Sequence, residues 1–79
     1  MNNNIERIVG KQLMLLRKEK GYSIEELAKI SKIAPSTISR YENSRCSMNL
    51  NIISKLVACL NSDDYIFFDK CVAILQSNK

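Results

Sequence analysis

The chain has 79 residues, a net charge of +4 and no histidine, and these properties exclude several classes of protein. One small domain is expected, because a single hydrophobic core is only marginally stable at this length. No apolar run approaches the roughly 20 residues that span a bilayer. The amino terminus lacks the basic region followed by an apolar region that is typical of a signal peptide. The sequence therefore predicts a cytoplasmic protein with no membrane partner.

The three cysteines, Cys46, Cys59 and Cys71, are widely spaced and form no CxxC motif. Without histidine they do not complete a common zinc ligand set, so we predict reduced thiols, no metal and no cofactor. The carboxylates are scattered and there is no glycine-rich phosphate loop. Nothing matches the spacing of a catalytic constellation, and the sequence predicts that the protein is not an enzyme.

Charge is unevenly distributed along the chain. Residues 7–45 contain nine lysines and arginines against four glutamates, whereas residues 46–79 contain three charges of each sign. A basic first half favours a polyanionic partner, and a neutral second half favours an apolar one.

Helical spacing of apolar residues from Ile5 to Leu16 predicts a first helix, which Gly21 ends. The spacing of Ser23 and Glu26 is that of a capping box, so a second helix is expected at about residues 24–30. A short connector follows.

Three further helices are predicted in the rest of the chain. Pro35 suits the first position of a helix at about 35–43, because its missing N–H needs no partner there. The other two are expected at about 49–60 and 63–76, the last one capped by Ser62. No strand pattern appears, and the predicted fold class is an all-α bundle of five helices in a single domain, residues 1–79.

Two helices joined by a short turn predict a helix-turn-helix at about residues 23–43, whose second helix enters the DNA major groove. The segment SIEELAKISKIAPSTISRYEN resembles the helix-turn-helix of the Cro/cI-type (XRE) family of bacterial and phage regulators. The resemblance extends from residue 5 to about residue 60 and implies a lambda-repressor-like domain that binds double-stranded DNA. It also implies a structural ion pair between Arg17 and Glu42, which ties the first helix to the third.

Two positions depart from the family pattern. Lys32 stands where glycine is frequent in the turn, so we expect it to adopt a left-handed conformation at a cost of about 1 kcal/mol. Ile24 stands where a phosphate-binding glutamine is common, which removes one expected contact with the DNA backbone.

The polar face of the third helix is the candidate surface for reading DNA bases. Ser36 and Arg40 are four residues apart and share one helical face, whereas Ile38 and Tyr41 lie on the opposite, buried side. An arginine can donate two hydrogen bonds to guanine, and a threonine methyl group can contact the methyl group of thymine. The candidate base contacts are Pro35, Ser36, Thr37, Ser39 and Arg40.

Residues at helix ends and in the following loop are the candidate phosphate contacts, because such positions hold the DNA backbone and set the register. For Ser23 the capping role is by itself a sufficient explanation. The candidates are Arg17, Ser23, Asn43, Ser44 and Arg45.

The size of the chain, its ENSR segment and its terminal SDDYIFFDKCVAIL segment resemble the controller proteins of restriction-modification systems. Those are small dimeric regulators that bind paired operator sites, so the resemblance implies a homodimer, with pairs of dimers possible on DNA. Two alternatives stay open at this point. One is an XRE-type repressor of a phage or plasmid, and the other is an antitoxin-like module that binds a protein.

Projected at about 100° per residue, the last helix presents two adjacent apolar stripes. One is sufficient to pack on the core, and the other is expected to form a two-fold dimer that places two recognition helices about 34 Å apart. The sequence does not assign the two roles. One stripe consists of Tyr65, Phe68, Val72 and Leu75, and the other of Phe67, Cys71 and Ile74.

Overall fold

The computed structural model describes residues 4–43 and 49–77. Within these ranges the chain is all-α, as predicted, and forms α1 (Asn4–Glu19), α2 (Ile24–Ser31), α3 (Pro35–Glu42), α4 (Leu50–Cys59) and α5 (Asp64–Ser77). None of these helices has the length and apolar character needed to cross a membrane.

The starts of the helices follow the local sequence with one correction. The capping box is present: the Ser23 hydroxyl accepts a 3.0 Å hydrogen bond from the Glu26 N–H, and the Ser23 N–H donates one of 2.8 Å to the Glu26 carboxylate. The prediction that Ser62 caps α5 is wrong. The carboxylate of Asp63 accepts the Tyr65 N–H at 2.7 Å, because an anionic acceptor suits the positive end of the helix dipole.

Left-handed residues end the first two helices. Gly21 follows α1 with φ of +83°. Lys32 follows α2 with φ of 60° and ψ of 31°, and its N–H donates a 2.8 Å hydrogen bond to the Ala28 carbonyl. The predicted conformation of Lys32 is thus confirmed, and it lets the chain turn sharply into α3.

All five helices contribute to one hydrophobic core. Helix α1 packs against α3 and α5, α2 packs against α3 and α4, and α4 packs against α5. Helix α3 is therefore held from two sides by α1 and α2, while α5 closes the core against α1 and α4. The buried apolar residues are Val9, Leu13, Leu27, Ala28, Ile33, Ile38, Tyr41, Ile53, Leu56, Val57, Leu60, Phe67 and Cys71.

The structure assigns the two stripes of α5. Phe67 is 5% exposed and Cys71 is fully buried, so this stripe packs on the core, and the ring of Phe68 meets that of Phe67 edge to face at 5.3 Å. Of the two stripes that could have formed the dimer interface, Phe67 and Cys71 are thus removed from it, because the core of their own chain covers them. Tyr65 and Val72 are exposed and lie on the other stripe. Ile74 and Leu75 are half-buried.

Burial also sets the chemistry of the thiols. It raises the pKa of the Cys71 thiol to about 11, so this group stays protonated at neutral pH. Cys59 is a free, half-buried thiol. Cys46 lies outside the described residues.

Candidate DNA-binding surface

Helix α3 separates apolar from polar side chains across its two faces. Ile38 is fully buried and Tyr41 is 5% exposed, and both pack in the core. Because α3 has only two turns, burying this pair leaves most of its other side chains near or at the surface, and Glu42 is the exception. Among the predicted base contacts, Pro35, Ser36 and Arg40 are exposed, and Thr37 and Ser39 are half-buried.

The turn before α3 fixes where its first residues lie. Ser31 is fully buried, and its hydroxyl accepts a 3.3 Å hydrogen bond from the Ile33 N–H. Ile33 itself is 8% exposed and anchors the turn in the core. Ala34 precedes Pro35 with an extended backbone and offers no side-chain cap. The position of the first turn of α3 is therefore fixed by the buried turn that precedes it and not by a capping side chain.

The ion pair that the family resemblance implied is present. Arg17 Nε lies 2.7 Å from Glu42 Oε2, and Arg17 Nη2 donates to Glu42 Oε1 at 3.0 Å, so the contact is bidentate. Arg17 Nη1 also donates to the Tyr22 carbonyl at 2.8 Å. The two charged side chains are only 8% and 4% exposed. This network joins α1, the start of the α1–α2 connection and the end of α3.

The geometry of this network corrects the expectation that Arg17 contacts phosphate. All three guanidinium nitrogens donate hydrogen bonds within the protein, and the side chain is almost entirely covered. The hydrogen bonds that Arg17 donates to the Glu42 carboxylate raise the pKa of Arg17, so the guanidinium stays charged. Arg17 acts as a support of α3 and is not available to a DNA backbone.

Asn43 ends α3 and bonds back to the helix. Its Nδ2 donates to the Ser39 carbonyl at 2.8 Å and lies 3.4 Å from the Ser39 hydroxyl. Asn43 is exposed, and these hydrogen bonds hold its side-chain amide against the last turn of α3. The structure thus defines the position of the Asn43 side chain, and its contact with phosphate stays a prediction.

The other predicted phosphate contacts differ in how far the structure places them. Ser23 is exposed at the start of α2, where its oxygen already accepts the capping hydrogen bond and its O–H is left as a donor. Ile24, at the position of the missing glutamine, packs against the core instead. Ser44 and Arg45 lie outside the described residues.

One feature of the surface escaped the sequence patterns. Leu50 is an apolar residue at the start of α4, yet it is 69% exposed. With Ile5, Glu6, Val9, Ile53, Phe68 and Val72 it lines a largely apolar groove of about 290 Å³ between α1, α4 and α5. The groove forms only where three helices pack together, so no local sequence pattern predicts it. No group of potential metal ligands occurs in the described ranges.

Comparison with known proteins agrees with this geometry. Residues 13–65 match the helix-turn-helix family model. An HTH-type transcriptional regulatory protein of Pyrococcus horikoshii is 44% identical over 50 residues, which are 63% of this chain. The chain spans only 16% of the length of that relative.

Several solved structures share the fold. The clp gene regulator ClgR from C. glutamicum superposes with a TM-score of 0.79 at 20% identity, over 87% of this chain and 88% of that one. The wild-type restriction-modification controller protein C.Esp1396I gives 0.86 at 21% identity, over 95% and 99%. A point mutant of the same controller protein gives 0.88 at 22% identity, over the whole of both chains.

Proposed function

Because the chain belongs to the helix-turn-helix family, with an XRE-type domain, we propose that it is a sequence-specific transcriptional regulator that binds double-stranded DNA in the cytoplasm. The exposed face of α3 carries this proposal. It presents hydroxyl groups and Arg40, while the opposite face is buried and the end of the helix is fixed by Glu42. A helix whose buried face is fixed by the core and whose exposed face is polar is suited to reading base edges in a major groove.

Within this proposal each exposed group of α3 has a chemical role. Arg40 donates two hydrogen bonds to guanine O6 and N7. Ser36, one turn earlier on the same face, bonds to a base or a phosphate. The Thr37 methyl group contacts a thymine methyl, and Pro35 and Ser39 flank these residues. The buried Arg17–Glu42 pair touches no DNA and sets the angle at which α3 enters the groove.

The finer proposal is a homodimer on palindromic operators, acting as the controller protein of a restriction-modification system. It is supported by the likeness of the fold to C.Esp1396I over essentially the whole chain. A repressor of a phage or plasmid shares the same domain and is the alternative. The DNA on either side of the native gene separates the two, because a controller gene lies beside methyltransferase and endonuclease genes.

The proposed dimer interface is the outer face of α5, which consists of Tyr65, Phe68 and Val72. Tyr65 is 79% exposed and Val72 is 43% exposed, and the groove beside them opens next to Leu50. An apolar patch of this extent is typical of a surface that another protein covers. In a two-fold dimer the same patch serves both copies, which matches a palindromic site.

A second candidate function has one observation in its favour. Asp64 and Asp69 border the outer face. An apolar surface with acidic neighbours is also complementary to a basic protein, so the same face suits an interaction module of the antitoxin-like kind. Such a module shows no binding to random duplex DNA at any ionic strength. A regulator loses affinity steeply between about 50 and 200 mM salt.

The proposed reading of DNA is tested by selecting binding sites from a pool of random duplexes and then comparing Arg40 variants on the selected site. Arg40→Ala is expected to cost about 1 to 3 kcal/mol and to relax the preference at one base pair of each half-site. Arg40→Lys is the matched control, because it keeps the charge but loses the planar pair of donors. If Arg40→Lys retains both affinity and preference, Arg40 neutralises phosphate and does not read a base.

A further inference from the structure

The turn between α2 and α3 holds a lysine in a backbone conformation that favours glycine. Lys32 has φ of 60° and ψ of 31°, which is the left-handed region. A side chain makes this conformation unfavourable, because its Cβ comes close to the following carbonyl oxygen, whereas glycine adopts it freely. The hydrogen bond to the Ala28 carbonyl uses only the backbone N–H of Lys32. Ending α2 therefore does not require the lysine side chain.

The side chain of Lys32 is directed to the surface and gains little within the chain. Lys32 is exposed, although Ser31 and Ile33 on either side of it are buried. Within residues 4–43 and 49–77 it forms no ion pair. Its attraction to the negative end of α2 is a benefit that Lys29, in the last turn of the helix, already supplies. Unfavourable backbone conformations are concentrated at functional sites, where binding offsets their cost.

Lys32 lies close to the start of the proposed DNA-reading face. Pro35 follows three residues later, so the two Cα atoms are at most about 11 Å apart. The major groove is about 12 Å wide, and the phosphates of the two strands lie along its edges. When α3 lies in the groove, the turn before it is thus near one edge, and a long lysine side chain can extend from the turn to the DNA backbone.

The charges around the turn are complementary to phosphate. Residues 27–41 contain three charged side chains, and all three are cations, Lys29, Lys32 and Arg40. All three are exposed. The surface formed by the end of α2, the turn and α3 is therefore positive, as a surface that meets a polyanion should be.

We propose that Lys32 binds a phosphate of the DNA backbone at the edge of the half-site and helps to set the register of α3 in the groove. This inference rests on the proposed function, because it requires that α3 enters DNA. A lysine binds phosphate as a point charge. The contact therefore adds affinity for every sequence and no preference for a base.

Binding to the duplex selected from the random pool, measured between about 50 and 400 mM salt, tests this contact. Lys32→Gly removes both the charge and the backbone strain. Its affinity should fall about fivefold to tenfold at 100 mM salt, and the slope of log affinity against log salt should decrease by about one per bound chain. Its melting temperature should rise by a few degrees, because glycine adopts the left-handed conformation freely. A lysine with only a structural role would leave the salt slope unchanged.

Three further variants separate the charge from the backbone. Lys32→Asn has no charge but tolerates the left-handed conformation, so it should match Lys32→Gly in affinity and in salt slope. Lys32→Arg keeps the charge and should bind like the wild type. Lys70→Gln removes an exposed cation from α5 and should keep the wild-type salt slope. The base preference should be that of the wild type in every variant.

The possible failures are distinguishable. If the wild type shows no salt-dependent binding to any duplex, the proposed function is wrong and the contact is wrong with it. If the wild type binds and Lys32→Asn has the same affinity and salt slope, only the contact is wrong. A loss in Lys32→Gly alone, or an equal loss in Lys32→Arg, would assign the effect to the shape of the turn and would overturn the phosphate contact. An equal decrease of the slope in Lys70→Gln would overturn it as well, because the slope would then follow the net charge.

Discussion

Helices α3 and α5 each bury two apolar residues in the same core, but the surfaces that they leave outside differ in chemistry. The exposed part of α3 consists of hydroxyl groups and Arg40. The exposed part of α5 includes Tyr65, Ile66 and Val72, which are apolar or aromatic. A polar surface backed by a rigid core is suited to a nucleic acid, whereas an apolar surface is stabilised by another protein. This difference supports the proposal that the two helices meet different partners.

The largest effect is expected on the inner side of α5. Phe67→Asp places a carboxylate in the core, where truncation of the ring alone costs about 3 to 5 kcal/mol. Because small domains have a total stability of only about 5 to 15 kcal/mol, the variant should be unfolded at room temperature. Tyr65→Asp, two residues away on the outer face, should keep its thermal transition. If both variants melt like the wild type, the assignment of the two stripes is wrong.

The support of α3 is expected to give the next largest effect. Glu42→Ala leaves the buried guanidinium of Arg17 without its carboxylate, which typically costs about 3 to 5 kcal/mol. DNA affinity should fall together with the melting temperature, although Glu42 touches no base. Replacing both partners, with Arg17→Met and Glu42→Leu, should recover part of the stability, because no buried charge is then left unpaired. An unchanged melting temperature in Glu42→Ala would falsify the structural role of the pair.

Alkaline pH tests the burial of the inner face of α5 through ionisation of the Cys71 thiol, without any substitution in the core. Folding raises the pKa of the Cys71 thiol above its ordinary value of 9.0, to about 11. The neutral thiol is therefore favoured in the folded state, and this stability is complete below pH 9 and is lost as the pH rises to about 11. The free energy of unfolding should fall by about 2 to 3 kcal/mol over that range. Cys71→Ala should lack this part of the pH-dependent loss of stability. If its free energy of unfolding, measured by chemical denaturation, falls with pH as much as that of the wild type, Cys71 lies outside the core.

The sequence and the structure agree most closely where the determinants are local. The capping box of Ser23, the left-handed turn at Lys32 and the boundaries of the helices follow from residues within a few positions of each other. The two buried residues of α3 could also be predicted, because Ile38 and Tyr41 are the only large apolar side chains in a short polar helix.

The sequence did not predict which side chains are buried or exposed where that depends on parts of the chain far apart in sequence. Both stripes of α5 are apolar, and only the positions of α1 and α4 determine that Cys71 faces inward. Spacing alone does not bring Arg17 to Glu42, 25 residues away; the family resemblance implied this ion pair, and the fold shows that burying it leaves Arg17 no contact with phosphate. The exposure of Leu50 and Ile66 likewise depends on which helices pack beside them. The residues proposed to read DNA lie in one short helix and could be named from the sequence, whereas the exposure of the apolar surfaces could not.

The central claim is that α3 meets DNA and the outer face of α5 meets a second chain. Fluorescence anisotropy on two duplexes tests it directly, one with a full palindromic site and one with a single half-site taken from the random-pool selection. Arg40→Ala should lose affinity for both duplexes by about 1 to 3 kcal/mol per half-site. Tyr65→Asp should bind the half-site like the wild type and should lose affinity only on the full site. If Tyr65→Asp matches the wild type on the full site, or Arg40→Ala does so on both, the division of roles between α3 and α5 is wrong.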